Sequence, residues 1–488
     1  MKQIKILILL VIAVFVSSCE DTFLTPDLTT GISSETFFTT EAEVESAVVN
    51  MYDGIQGFNA SKDTDSGLNH AIQVEFYVTE MRSDNTRTKS QEGEAAQFEF
   101  YTIASTNGIV ADYYRSYYNV IYRANLVLAN LETAGSKSAQ FEAEAKFVRA
   151  YAYFNLVRLF GDVPLIDKVI APLDKTTSFT RVASSITYDL IVSDLQTAIS
   201  NLDDTYKDRA SKAGAEGLLA KVFLTLGRYG EAQVLLESIM NPSRGFGLES
   251  NFKDIFYNEG NKETIFAIGF LPGVNDDSQN FSAEWLNSVG RGSGVNYVTE
   301  DARTILDALG GNRTALSYRQ DVEQPTQYQV VKYLPNGDVD LEIPVTSPDP
   351  TSAGNDWIVL RYADVLLMHV EAILANSAST TSTTAITSFN QIRSRAGFTG
   401  SDLIATDGTG SISKQELLDE RRVELAFENH RFFDLVRMGA AQTVLSDFAS
   451  ATGGSFSSND LLLPIPQIEI GLSPEVNGES LLKQNPGY

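Results

Sequence analysis

The chain has 488 residues, 43% of them hydrophobic, with 63 acidic residues against 37 basic ones and a formal charge of −26. That length allows one large domain or two to three ordinary ones, and enough apolar residues for a large core. The acidity runs along the whole chain, which excludes nucleic acid or anionic lipid held by charge and leaves neutral ligands such as sugars, or cationic ones.

At the amino terminus Lys2 and Lys5 precede an unbroken apolar run over 6–16, followed by Ser17, Ser18 and Cys19. A short basic start and a short apolar stretch make a secretory signal, too short to span a bilayer as a mature helix. Val16-Ser17-Ser18-Cys19 resembles a bacterial lipobox, in which cleavage precedes a lipidated cysteine. Cys19 is the only cysteine, so no intrachain disulfide exists and acylation gives the lone thiol a purpose. The alternative is an ordinary secreted protein with a free thiol. Residues 1–18 are thus expected to be signal and 19–35 a lipidated tether; lipid chains hold a protein to a membrane without crossing it. Glu20 and Asp21 resemble the acidic signal that sends some lipoproteins to the exterior of the outer membrane.

Residues 36–488 read as a single domain. Thr40 with Glu43 forms a capping box, and Val44, Val48, Met51 and Ile55 mark an amphipathic helix. An alternating, strand-like segment follows at 73–81. Residues 113–131 and 140–159 form a helical pair that Gly161-Asp162-Val163-Pro164 stops. A further helix covers 182–199. Residues 215–240 carry the small–large pattern of a tetratricopeptide unit: Ala220 and Phe223, then Gly227 and Tyr229 at the turn, then Ala232 and Leu236. Another pair covers 361–375 and 385–395. Several such hairpins (about 113–160, 182–240 and 361–395) predict a mostly α, tetratricopeptide-like superhelix. The Gly/Asn/Asp/Ser-rich stretch 245–350 predicts loops and short strands mounted on it, where function tends to sit. Residues 414–438 read as one long charged helix, and 461–488 as a Pro-punctuated tail.

Signatures of chemistry are sparse. His70, His369 and His430 are the only histidines, in no zinc-binding spacing, and no Cys-x-x-Cys exists. There is no nucleophile elbow, Walker sequence or dinucleotide fingerprint, and Asp63 to Gly67 is too short for an EF-hand loop. No metal, cofactor or catalytic residue is therefore expected. Residues 419–437 alternate acids and bases around His430. Their three- and four-residue spacings predict ion pairs on a helix surface, each worth roughly 0.2–0.5 kcal/mol, in place of an active site.

The same segment, Glu420-Arg421-Arg422-Val423-Glu424-Leu425-Ala426-Phe427-Glu428 through Arg431-Phe432-Phe433-Asp434-Leu435-Val436-Arg437, closely resembles the carboxy-terminal signature of the SusD/RagB family. So do Ala145-Lys146-Phe147-Val148-Arg149-Ala150-Tyr151 with Leu159-Phe160-Gly161-Asp162-Val163-Pro164-Leu165, Arg361-Tyr362-Ala363-Asp364-Val365-Leu366-Leu367, Asn390 to Gly397, Leu463-Pro464-Ile465-Pro466 and Gln484-Asn485-Pro486-Gly487-Tyr488. In order, they cover essentially the whole chain. The resemblance implies a surface lipoprotein that captures nutrients, commonly glycans, without making or breaking bonds, and caps a SusC-type TonB-dependent outer-membrane transporter. It implies a fold of tetratricopeptide-like helix pairs with an irregular half that carries the ligand. A peptide receptor of the same fold and a protein-binding scaffold are the alternatives.

The family's shared motifs are scaffold motifs, so ligand residues must come from physical reasoning. Sugars present flat C–H faces edged by hydroxyls, which suit an aromatic platform with polar neighbours. Of the two tryptophans, Trp357 is expected in the core, and Trp285 either faces the ligand or packs its loop. Arg82, Asp84 and Asn85 form a polar cluster that either borders the ligand or closes a turn. Tyr297 and Arg291, flanking the glycine-rich loop, and Tyr101 complete the candidates.

Overall fold

The computed structural model of the chain describes residues 37–61, 69–88, 92–170, 179–274, 276–286, 296–321 and 324–488. The signal, Cys19, the tether and the acidic stretch at Asp63 lie outside the described residues. Helix α1, Glu41–Gln56, begins at the expected capping box: the Thr40 hydroxyl accepts from the Glu43 N–H, and the Glu43 carboxylate accepts from the Thr40 N–H. It buries Val44, Val48, Met51 and Ile55 against α2, Gly108–Ala129. Helix α2 packs on α3, Ser138–Phe160, and α3 on α4, Ser184–Asn201. Gly161, at φ +69°, ends α3 where the sequence places the stop.

The hairpin of α5, Lys212–Thr225, and α6, Tyr229–Ile239, turns at Gly227 (φ +70°). Helix α7, Glu300–Leu309, sits in the loop-rich half. Helix α8, Tyr362–Leu374, packs on α6 and on α9, Thr383–Arg395. The linker between α8 and α9 is pinned by Ser379–Thr380 pairing with Ile412–Ser413. The result is the mostly helical stack of hairpins that the periodicities predict. Beside it lie two-stranded ribbons: Thr86–Thr88 with Asn296–Val298, Thr264–Ile268 with Trp357–Arg361, and Tyr318–Gln320 with Tyr328–Val330. Gly217 lets α5 press on the middle ribbon, because a Cβ there would meet the Leu360 side chain at 2.2 Å. No helix among the described residues is long and apolar enough to cross a membrane.

Three expectations need correction. The segment 73–81 is not a strand but a chain of short helical turns, Ala71–Val74, Glu75–Val78 and Glu80–Arg82. Nearly every side chain there is buried, so the open face of a half-buried strand does not exist. Glu75 is held inside by the Tyr117 hydroxyl at 2.7 Å. The stretch 414–438 is not one helix either. It breaks into α10, Lys414–Glu424, and α11, Arg431–Arg437, across a turn in which Phe427 and Asn429 take φ +64° and +60°.

The break gives the ion pairs a different character from the one expected. They are internal, and their partners come from distant segments. Glu424 binds Arg361 (2.5 Å), Arg395 (2.5 Å) and Arg313 (2.7 Å). Glu428 binds Lys332 (2.6 Å) and Arg361 (2.8 Å), and Arg361 also reaches Glu263 (2.8 Å). Glu420 meets Arg313 at 2.8 Å. On the helical side Arg421 joins Asp434 (2.8 Å) to Asp364 (2.9 Å), Lys221 reaches Asp364 (2.8 Å), and Arg437 meets Glu371 (2.6 Å). Helices α10 and α11 thus clamp the hairpin stack to the loop-rich half.

Breaking a buried pair leaves an uncompensated charge, at about 3–5 kcal/mol. Arg361→Met, which strips one cation from Glu263, Glu424 and Glu428, is expected to lose about that much in urea unfolding. Lys483→Ala, which removes an exposed pair with Glu479, should leave the midpoint unmoved. A loss below about 1 kcal/mol for Arg361→Met would show that the network does not carry the fold.

Burial raises Glu263 above the ordinary range in spite of Arg395 and Arg361, but at four other buried carboxyls the facing cations outweigh it. Arg422 and Arg431 hold Asp84, Lys221 and Arg421 hold Asp364, and Arg395, Arg361 and Arg313 hold Glu424 well below the ordinary range; Asp434 is lowered to about 2. Stability from a lowered carboxyl is complete above its unfolded value, about 4, and is lost as pH falls through the folded value. The thermal midpoint should therefore drop steeply below about pH 4, as a scan from pH 7 to 2 would read.

Candidate functional site

Most of the sequence-predicted site residues are framework residues in this structure. The Asp84 carboxylate takes both forks of Arg431 (2.8 and 2.9 Å) and lies 3.1 Å from Arg422. Asn85 accepts from Arg422 at 2.8 Å and donates to Glu80 at 2.9 Å. Arg82 donates to the carbonyls of Val78 and Asp460, and its guanidinium lies 4.1 Å from the Phe432 ring centre. The Tyr101 hydroxyl donates to the Arg82 carbonyl at 3.0 Å. These four are buried and gathered into one cluster that ties the amino-terminal segment to α10 and α11.

Trp285 is 1% exposed. Its ring packs edge-on among Tyr333 (5.3 Å), Phe76 (6.0 Å), Phe427 (6.2 Å) and Trp357 (6.4 Å). Of the two roles the sequence left open, this geometry is the packing one, and Trp357 is in the core as expected. Tyr297 is half-buried on the strand Asn296–Val298, opposite Arg87. Arg291 lies outside the described residues.

Sequence reasoning missed a cleft of about 810 Å³ in the loop-rich half. Its back is the strand Thr264–Ile268, paired with Trp357–Arg361 on one edge. On the other edge the Ala267 N–H donates to the Lys207 carbonyl at 2.8 Å, so the α4–α5 connection completes the wall. Below runs the turn Asp254–Tyr257, fixed by Asn261, whose amide donates to the carbonyls of Ile255 (3.1 Å) and Asn258 (2.9 Å). Phe256, Tyr257, Phe270 and Leu271 give the cleft its apolar surface, while Asn258, Glu259, Asp208 and Asp356 give it polar groups. Tyr257 turns its hydroxyl away to the Val331 carbonyl, leaving its ring in the lining.

Asp356 accepts from the Phe270 N–H at 3.1 Å. Burial pushes its carboxyl up to about 7; that N–H opposes the rise, and the nearby Glu259 and Asp208 add to it. Among the described residues no group of histidine, cysteine or carboxylate side chains could hold a metal ion. Flat hydrocarbon rings beside carboxylates and amides suit a ligand with C–H faces and hydroxyl edges. The cleft draws on residues 207–208, 255–272 and 346–358, too far apart for any local motif. The available signal was the strand-like run at 264–270 beside glycine- and asparagine-rich turns.

A stack of helical hairpins with a loop-rich half carrying an open cleft is the architecture these observations define. Residues 276–488 match the SusD family model, and residues 27–224 match a model described as starch-binding associating with outer membrane. Together the two matches take in most of the chain and support its membership of the SusD/RagB family. It is 27% identical over 500 residues to SusD-like protein P2 of Formosa agariphila, covering 94% of each chain. A laminarin binding SusD-like protein superposes with a TM-score of 0.73 at 25% identity, over 92% of this chain and 100% of that one. Surface glycan-binding protein A from Bacteroides fluxus gives a TM-score of 0.75 at 23% identity, over 92% and 100%.

With both tryptophans buried, emission is expected to be blue-shifted and to resist iodide quenching. Trp285→Ala should cost about 3–5 kcal/mol in denaturant unfolding, as truncating a large core aromatic does. Ready quenching, or a variant as stable as the parent, would place the indole at the surface instead.

Proposed function

We propose that this chain is a non-catalytic, surface-anchored receptor that captures a nutrient glycan and passes it to a SusC-type transporter in the outer membrane. The observation that carries the reading is the open cleft of about 810 Å³ with rings and hydrogen-bonding groups in its lining. The family membership, and relatives named for binding laminarin and surface glycans, support the same ligand class. In this reading Cys19 bears the lipid and residues 19–35 span from the membrane to the fold.

Affinity electrophoresis on laminarin, starch and other polysaccharides tests capture. Gly269 offers a blocking variant, because its Cβ would have only Asp356 Oδ1 nearby, at 3.8 Å. Gly269→Phe is expected to fold and to weaken retention about tenfold or more, equivalent to about 1.4 kcal/mol. Unchanged retention would put the ligand elsewhere. Bound oligosaccharide should be recovered intact by mass spectrometry. A carboxyl raised to about 7 beside other carboxylates also suits a general acid. New reducing ends that vanish in Asp356→Asn would therefore make the cleft a hydrolase. Cys19→Ala should move the protein from the membrane fraction to the released fraction, and continued membrane attachment would reject acylation as the anchor.

A further inference from the structure

The charge pattern of the cleft differs from that of the buried ion-pair clamp. There the inward carboxylates Asp84, Asp364, Glu424 and Glu428 are each matched by arginine or lysine. In the cleft lining, Asp208, Glu259 and Asp356 make no ion pair among the described residues. The one cation in that lining is Lys207, and its ammonium is used on main-chain oxygens: it donates to the carbonyls of Gly260 (3.2 Å) and Asn261. Those carbonyls lie just past the turn Asp254–Tyr257, so the lysine braces the floor of the cleft while keeping its charge. Asp356 uses one carboxylate oxygen on the Phe270 N–H. A ligand in the cleft therefore meets three acidic groups against the single charge of the Lys207 ammonium, and because burial raises Asp356 to about 7 the negative excess grows as pH rises past that value. The low-dielectric walls made by Phe256, Phe270 and Leu271 focus that field. The formal charge of −26 on the whole chain acts in the same direction.

We infer that the cleft selects by charge: it admits glycans without acidic groups and turns away those bearing carboxylate or sulfate, with Asp208, Glu259 and Asp356 as the discriminating residues. The inference rests on the glycan-capture reading and adds a ligand class to it. Discrimination of this kind comes from repulsion of the wrong ligand as much as from attraction of the right one. Because two of the three groups, Asp208 and Glu259, are exposed, the exclusion weakens as salt screens them.

The test is affinity electrophoresis of the full chain at low ionic strength against neutral polysaccharides (laminarin, starch, xyloglucan) and uronates (alginate, polygalacturonate). The readout is the ratio of neutral to uronate retention. In the native chain that ratio is expected to exceed ten and to fall in high salt. In D208N/E259Q/D356N it is expected to drop at least tenfold; the amide that replaces the Asp356 carboxylate keeps an oxygen for the Phe270 N–H. If the triple variant fails to fold, D208N/E259Q, altered only at exposed positions, should still lower the ratio at least threefold. Equal retention of laminarin and alginate by the native chain, or a ratio that the substitutions do not move, overturns charge selection while leaving glycan capture intact. Retention of none of the polysaccharides overturns glycan capture itself and this inference with it.

Discussion

The structure depends on a set of buried charges that no single element could satisfy alone. Glu424 and Glu428 enter the interior on either side of a broken helix, and Arg361, Arg395, Arg313 and Lys332 come from four different segments to meet them. Buried ions are costly unless each is paired and hydrogen-bonded, so these partners must arrive together. That requirement fixes where the strand bearing Arg361, the hairpin bearing Arg395 and the loops bearing Arg313 and Lys332 stand relative to one another. The left-handed backbone at Phe427 and Asn429 is the local cost of turning Glu428 back into the network.

This clamp has a functional consequence. Arg361 ends the strand Trp357–Arg361, whose partner, Thr264–Ile268, backs the cleft. The salt-bridge network therefore holds the back wall of the cleft in register with the helical stack. The hairpins supply a rigid frame, the clamp joins the frame to the irregular half, and the irregular half presents rings and carboxylates to solvent. A receptor needs such pre-organisation, because ordering a loose site on binding would consume affinity.

The helical frame was legible in the sequence wherever amphipathic spacing met a stop signal, as at Val44 to Ile55, at Gly161 and at Gly227. The helix Glu300–Leu309 was less visible inside a glycine-rich stretch, although Thr299 caps it and Ala302 and Leu306 mark its buried face. The segment at 73–81 was misread because burial on all sides erases the difference between strand and helical turn. The spacing of the charged segment 419–437 predicts ion pairs, which the structure contains, but puts them on the surface, since spacing along a helix cannot reveal partners a hundred residues away. The same limit hid the cleft, and it left open whether Trp285, Asp84 and Asn85 serve a ligand or the fold, because their partners lie far off in the chain.

Hydrogen–deuterium exchange with and without saturating laminarin tests most directly the picture of a rigid frame that presents a glycan cleft. Peptides covering 254–272 and 354–358 should exchange more slowly with the glycan present, while those covering 420–437 should be slow in both states and unchanged. Protection confined to the helical hairpins, with the cleft segments exchanging as before, would contradict it.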